Sequence, residues 1–84
     1  MLLDNHRVRV LELRLPPGQG EPMHSHPDYL VYVLSPATMR MTAADGSTKV
    51  IELGAGQVSF GPPTTHSGQN IGETTLHELI VELK

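Results

Sequence analysis

Three histidines are the residues of this chain whose type and spacing could carry chemistry. His24 and His26 are separated by one residue, and His66 follows forty positions after His26. Because side chains alternate across a β-strand, histidines at i and i+2 lie on the same face. A third imidazole from a neighbouring strand would complete a facial set of nitrogen donors, with positions left open for water or substrate. The spacing therefore predicts a metal site; the alternative is a pair of surface histidines in a Pro-rich loop.

Glycine, proline and asparagine residues at fixed spacings surround these histidines. The two segments run Gly18-x5-His24-x-His26 and Gly56-x5-Pro62-x3-His66-x3-Asn70. In this order and spacing the chain resembles the cupin family of small double-stranded β-barrels, from about Pro17 to the C-terminus. The resemblance implies an all-β, cupin-type double-stranded β-barrel (jelly roll) in which His24, His26 and His66 hold a divalent metal.

The chain departs from the family motifs at several positions. The usual glutamate ligand is missing, because its place falls on Tyr29 when the Tyr32-Val33-Leu34 strand is aligned. Using Asp28 instead would shift the strand register by one and turn its apolar residues to the wrong faces. The Ser35-Pro36-Ala37 turn replaces the closing glycine of the first motif, and the second motif is one residue short. These changes affect the loop that carries His66.

Tyr29 has two interpretations. It is either an apolar strand residue whose hydroxyl reaches solvent or a polar partner, or a weak metal ligand or hydrogen-bond donor to a bound water or substrate. Asn70 is expected to be structural, since asparagine side chains readily bond to turn backbone. Met23, Met39 and Met41 are expected in the core or lining a pocket.

The sequence alone does not determine which metal is bound or which reaction is catalysed. Imidazole binds Zn, Fe, Ni and Cu alike, and Mn is also considered. A three-histidine site resembles that of cupin-like dioxygenases that cleave small thiols or diketones, which implies an iron-dependent dioxygenase. A general acid or base other than Tyr29 is not evident, and so short a barrel is expected to have little pocket. The alternatives are a non-catalytic metal- or ligand-binding module, as a sensor or storage protein, and an oligomeric scaffold.

The rest of the sequence predicts one small β domain, residues 1–84. Seven or eight short strands with Gly/Pro punctuation and no helical period favour a barrel. The clearest hairpin joins Met39–Thr42 to Lys49–Leu53 through Asp45-Gly46. The run from Tyr29 to Leu34 is apolar on both faces, which, with the apolar C-terminal strand, predicts a homodimer.

Composition narrows the function classes. The chain has no cysteine, which excludes disulfides, thiolate nucleophiles and Cys-ligated zinc. Its net charge of −3 offers no basic patch for nucleic acid. With no signal-peptide pattern and no long apolar run, we expect a cytoplasmic protein that binds a small molecule and no membrane.

Overall fold

The computed structural model describes residues 1–84 as two antiparallel β-sheets without a helix. The strands are β1 (Leu3–Asp4), β2 (Val8–Leu15), β3 (Gly20–His26), β4 (Tyr29–Ser35), β5 (Ala37–Ala43), β6 (Thr48–Leu53), β7 (Val58–Gly61), β8 (Thr64–Asn70) and β9 (Leu76–Leu83). There are nine strands where the sequence predicted seven or eight. No helix capable of crossing a membrane occurs.

The strands divide between a five-stranded and a four-stranded sheet. The larger sheet has the order β1-β2-β9-β4-β7, and the smaller one has the order β3-β8-β5-β6. Most neighbours in a sheet are distant in sequence, as in a jelly roll. The predicted all-β, double-sheet barrel is confirmed.

The predicted hairpin joins β5 to β6. Their register runs from Ala37 opposite Leu53 to Thr42 opposite Thr48. Gly46 has a φ of 90°, which costs glycine little. The Asp45 carboxylate accepts a hydrogen bond from the Ser47 amide at 2.9 Å, which closes the turn.

The apolar core is small and lies towards one end of the sandwich. Its buried members come from both sheets: Leu15, Val33, Ala37, Met39 and Leu76. Fully burying one side chain of this size contributes about 1.5–3 kcal/mol, so this cluster can anchor one end of the two sheets. The other end is left to polar residues and a cavity.

Asn70 fixes the end of the fold where this core lies. It is fully buried, and its Nδ2 donates hydrogen bonds to the carbonyls of Leu15 and Thr74, both at 2.8 Å. Its Oδ1 accepts a hydrogen bond from the Gly72 amide. The structural role expected for Asn70 is confirmed.

The C-terminal strand β9 crosses the middle of the larger sheet and has two different faces. Its inward positions are Leu76, Glu78, Ile80 and Glu82, all at most 8% exposed. Leu76 belongs to the core, while Glu82 bonds to a histidine at the other end. The apolar residues Leu79, Val81 and Leu83 occupy the opposite, outer face.

Candidate metal centre

Strands β3 and β8 carry the three histidines to one place. His24 lies directly opposite His66 in the ladder, and His26 lies opposite Thr64. Because partners in a ladder share a face, His24 and His66 project to the same side, and His26 follows by alternation. The shortened second motif therefore still brings His66 to the pair.

The three rings form a compact cluster. Ring centroids are 4.6 Å apart for His24 and His26, 4.8 Å for His24 and His66, and 5.2 Å for His26 and His66. One ring nitrogen from each residue lies within 4.8 Å of the others. Nitrogens that share a metal at about 2.1 Å are about 3.0–3.5 Å apart, so small side-chain rotations bring them to bonding distance. The group could hold a metal ion.

Hydrogen bonds fix the tautomer of two of these rings. His24 Nδ1 donates to the Pro22 carbonyl at 2.8 Å, and His26 Nδ1 donates to the Glu82 carboxylate at 2.7 Å. Carbonyl and carboxylate oxygens only accept hydrogen bonds, so each Nδ1 carries the proton. The lone pair of each Nε2 is left free, as in metal-binding histidines oriented by a second residue.

The third ring is held uncharged by its surroundings. Burial, and then the proximity of His24 and His26, lowers the pKa of His66 to about 4. At neutral pH this imidazole is therefore a neutral donor. Neutral histidine is the form that binds metals, so no proton has to leave His66 on metal binding.

Tyr29 lies against this cluster, at the family's usual glutamate position. Its ring is 4.6 Å from that of His26, at an interplanar angle of 34°, and 6.4 Å from that of His66. The same ring also lies close to Gly61, where an added Cβ would overlap Tyr29 Cζ. The group of potential metal ligands contains histidines only, and no carboxylate takes the missing glutamate's place.

A cavity of about 610 Å³ between the sheets opens onto the histidines. This contradicts the expectation that so short a barrel has little pocket. The space exists because the core occupies only one end of the sandwich, and because Gly68 has no side chain. A Cβ there would lie 3.1 Å from both Met39 Cε and Met41 Sδ, and these two methionines line the cavity as expected. The same expectation was wrong for Met23, whose side chain points to solvent and is 47% exposed.

The sequence reasoning missed three glutamates that face the interior. Glu82 bonds to His26, while Glu21 and Glu78 line the cavity. A β-bulge between Glu21 and His24 turns both side chains inward, although they are three residues apart. Alternation along β9 was a signal for Glu78 and Glu82, but the apolar residues between them favoured the opposite face.

Comparison with known proteins identifies the family of folds to which this architecture belongs. No protein-family model and no curated protein matches the chain. Among solved structures, a cupin domain from Bordetella pertussis is 28% identical with a TM-score of 0.90, over 99% of this chain and 88% of that one. An RmlC-like cupin family protein with a double-stranded β-helix fold from Methanocaldococcus jannaschii is 19% identical with a TM-score of 0.75, over 96% and 73%.

A third similar structure is that of a predicted oxalate decarboxylase from Thermotoga maritima, 28% identical with a TM-score of 0.63, over 88% of this chain and 64% of that one. The match to the Bordetella protein covers 99% of the present chain, and this part of the chain contains all nine strands. We conclude that this chain is a small protein of cupin fold.

Proposed function

We propose that this protein is a divalent-metal-dependent oxidoreductase, dioxygenase-like, that acts on a small molecule bound between its sheets. The observation that carries the proposal is the convergence of three imidazoles on the wall of a cavity of about 610 Å³. Three histidines that bind one metal leave positions open for further ligands. The cavity supplies the space in which such a ligand would lie.

Each residue of the site has a distinct part in this proposal. His24, His26 and His66 hold the ion, and Glu82 orients the His26 ring through the 2.7 Å hydrogen bond to Nδ1. Fe, Zn, Ni, Cu and Mn remain candidates, and iron is the metal that we propose for the dioxygenase reaction. When bound, the metal supplies a centre that polarises a coordinated substrate and lowers the pKa of bound water.

Tyr29 is the proposed hydrogen-bond donor to the bound small molecule. Its hydroxyl has no hydrogen-bond partner within the protein, and its ring is packed against His26 and Gly61. A phenol fixed in this way can donate its proton to an oxygen or sulfur atom of a ligand beside the histidines. The role is one of positioning a ligand, and it replaces the charge of the usual glutamate with a neutral donor.

The apolar part of the cavity wall would exclude water from the reacting groups. It is formed by Val31, Met39, Met41, Ile51, Leu76 and Ile80. Exclusion of water strengthens electrostatic interactions between a substrate and the protein. A dioxygenase places both atoms of O₂ in the organic product, so the substrate supplies all the electrons and no separate reductant is needed.

The Thermotoga protein suggests a different substrate, a dicarboxylate such as oxalate. Two carboxyl groups of the present cavity, those of Glu21 and Glu78, disfavour a dianion there. We therefore propose a substrate that is not a dicarboxylate.

Oxygen uptake tests the proposed reaction. Protein loaded anaerobically with Fe²⁺ is offered small thiols, diketones and amines in turn, and O₂ consumption is followed beside a His66→Ala variant. Uptake by the wild type alone supports the proposal. Stoichiometric iron without uptake on any substrate favours the non-catalytic sensor or storage module, and melting that is unchanged by EDTA favours a scaffold without metal.

We also propose that two copies associate through the outer face of the five-stranded sheet. One row of residues crosses all five strands of this face: Leu3, Val10, Val81, Leu30 and Phe60. Phe60 is 61% exposed and Leu30 is 37% exposed. A continuous apolar row of this kind is typical of a protein interface, and a symmetric dimer covers the same face of both copies.

A further inference from the structure

Glu78 is a buried carboxyl group that has no partner within the protein. It is 8% exposed and makes no hydrogen bond or ion pair with any other residue. Its ladder neighbours on the two adjoining strands are Leu13 and Val33, both apolar. Burial, and then the charge of Glu21, raises the pKa of Glu78 to about 7. The carboxyl group faces the cavity, which is the one direction in which a partner can reach it.

Glu21 faces the same cavity from the other sheet. Strand β3 belongs to the four-stranded sheet and β9 to the five-stranded sheet, so the two carboxyl groups approach the cavity from opposite walls. Lys49 is the only lysine or arginine in the cavity lining, and it is exposed and forms no ion pair. The apolar lining of the same cavity includes Met39, Met41, Ile51 and Ile80.

Two carboxyl groups beside an apolar wall fit one chemical class of ligand. A buried carboxylate without a hydrogen-bond donor is costly, and a charged donor that reaches it removes most of that cost. An ammonium group has three donors, so it would supply the partner that Glu78 lacks and also pair with Glu21, whose carboxylate otherwise lies 3.7 Å from His24 Nδ1. An alkyl chain would contact the apolar wall. An anion would be repelled by the same two groups.

We propose that the cavity binds a small organic cation whose ammonium group is held by Glu78 and Glu21 and whose apolar part lies along the methionine-lined wall. This deepens the proposed function, and rests on it, by naming the class of molecule that is presented to the three histidines. Glu78 and Glu21 select the substrate; they do not bind the metal.

The test uses metal-free protein labelled with ¹³C at the methionine methyl groups. The probes are butylammonium, butanol and butyrate, which share an alkyl chain and differ in the end group. Met39 and Met41 line the cavity, whereas Met1 and Met23 are exposed and serve as internal references. We expect butylammonium to shift the Met39 and Met41 signals and to bind at least about tenfold more tightly than butanol or butyrate.

Two variants and a matched control locate the binding. Glu78→Gln and Glu21→Gln should each weaken butylammonium binding by about tenfold or more, since each removes a charged acceptor. Glu52→Gln makes the same change at an exposed position of β6, outside this cavity, and should have no effect. Equal binding of all three probes, no shift with butylammonium, or unchanged affinity in both cavity variants would overturn the inference.

Metal content, measured on the same preparations, separates this inference from the proposed function. Metal bound by the histidines without butylammonium binding refutes only the cation preference. Glu78-dependent butylammonium binding without any metal refutes the metal centre and leaves the cation site.

Discussion

The imidazole of His26 donates a hydrogen bond from Nδ1 to the carboxylate of Glu82, 2.7 Å away and shielded from solvent. The two residues are 56 positions apart and belong to different sheets. The contact therefore connects the sheets at the end of the sandwich opposite the apolar core. It also fixes the tautomer of His26 and leaves Nε2 free to bind metal.

Removing Glu82 should weaken metal binding. Outer partners of metal-bound histidines typically contribute a factor of about 10–100 to affinity, so we expect Glu82→Ala to lower Zn²⁺ affinity by that amount. Competition with a chromogenic chelator measures it. Glu12→Ala is the matched control, because Glu12 accepts a 2.7 Å hydrogen bond from His77 at an exposed site far from the cluster. Equal affinities for Glu82→Ala and the wild type would contradict the role given to Glu82.

Glu78 should make stability depend on pH. Its pKa is about 7 in the folded protein against 4.5 for an ordinary glutamate. The folded state therefore holds its proton more tightly, and stability is lost as pH rises from about 4.5 through 7. At 1.36 kcal/mol per pKa unit the loss is about 3 kcal/mol, and it should be absent from Glu78→Gln.

Urea unfolding of both proteins between pH 4 and 8 measures this difference. The free energies of unfolding of Glu78→Gln must be subtracted from those of the wild type, because the titration of His66 changes stability with pH in the opposite direction. Its pKa is lowered to about 4, so it destabilises the folded state as pH falls below the ordinary histidine pKa of 6.5. A difference between the two proteins that stays constant over this range would refute the assignment to Glu78.

The position of the Tyr29 ring should depend on the absence of a side chain at residue 61. In Gly61→Ala the new Cβ would meet the Tyr29 ring, so the ring must leave the position in which it lies against His26. Overpacking of this kind costs about 1–3 kcal/mol. Gly54→Ala is the control, since a Cβ there meets only the Gln57 side chain at 3.9 Å. Thermal melting and the Tyr29–His26 nuclear Overhauser effect report the two consequences; a retained Overhauser effect would show that the ring does not need the space.

The outer face of the larger sheet should determine the oligomeric state. We expect the wild type to sediment as a dimer at micromolar concentration and Val81→Lys to sediment as a monomer, because a lysine would be buried in the centre of the apolar row. Val50→Lys introduces the same charge on the other sheet, where Val50 is 59% exposed, and should remain dimeric. A monomeric wild type would refute the dimer.

The sequence predicted the features that depend on local pattern. Alternation places His24 and His26 on one face, and Asp45-Gly46 encodes its hairpin without help from the rest of the fold. The shared face of Tyr29, Val31 and Val33 follows from the same period. These predictions needed only neighbours along the chain.

The glutamates of the site were not predictable in the same way. In β9 either of the two alternating sets of side chains can face inward. The set Leu79, Val81 and Leu83 is entirely apolar, so the sequence pattern favours placing these residues inside, whereas the structure places them outside. The pairing of β9 with β4 determines which set faces inward. Glu82 lies opposite Tyr29 and Ile80 lies opposite Val31, so the glutamates share the inward face of β4. If the outer face is covered by a second copy, its apolar residues are buried as well, and the pattern within one chain does not reveal this.

Metal content shows whether the three histidines hold an ion. Wild-type protein without a tag is compared by elemental analysis with His26→Ala, His66→Ala and the control His77→Ala, a histidine outside the cluster. We expect about one divalent transition metal per chain in the wild type and in His77→Ala, and its loss from the other two. Wild-type protein that takes up no metal even when Fe²⁺ or Zn²⁺ is supplied in excess, or metal retained by both His26→Ala and His66→Ala, would contradict it.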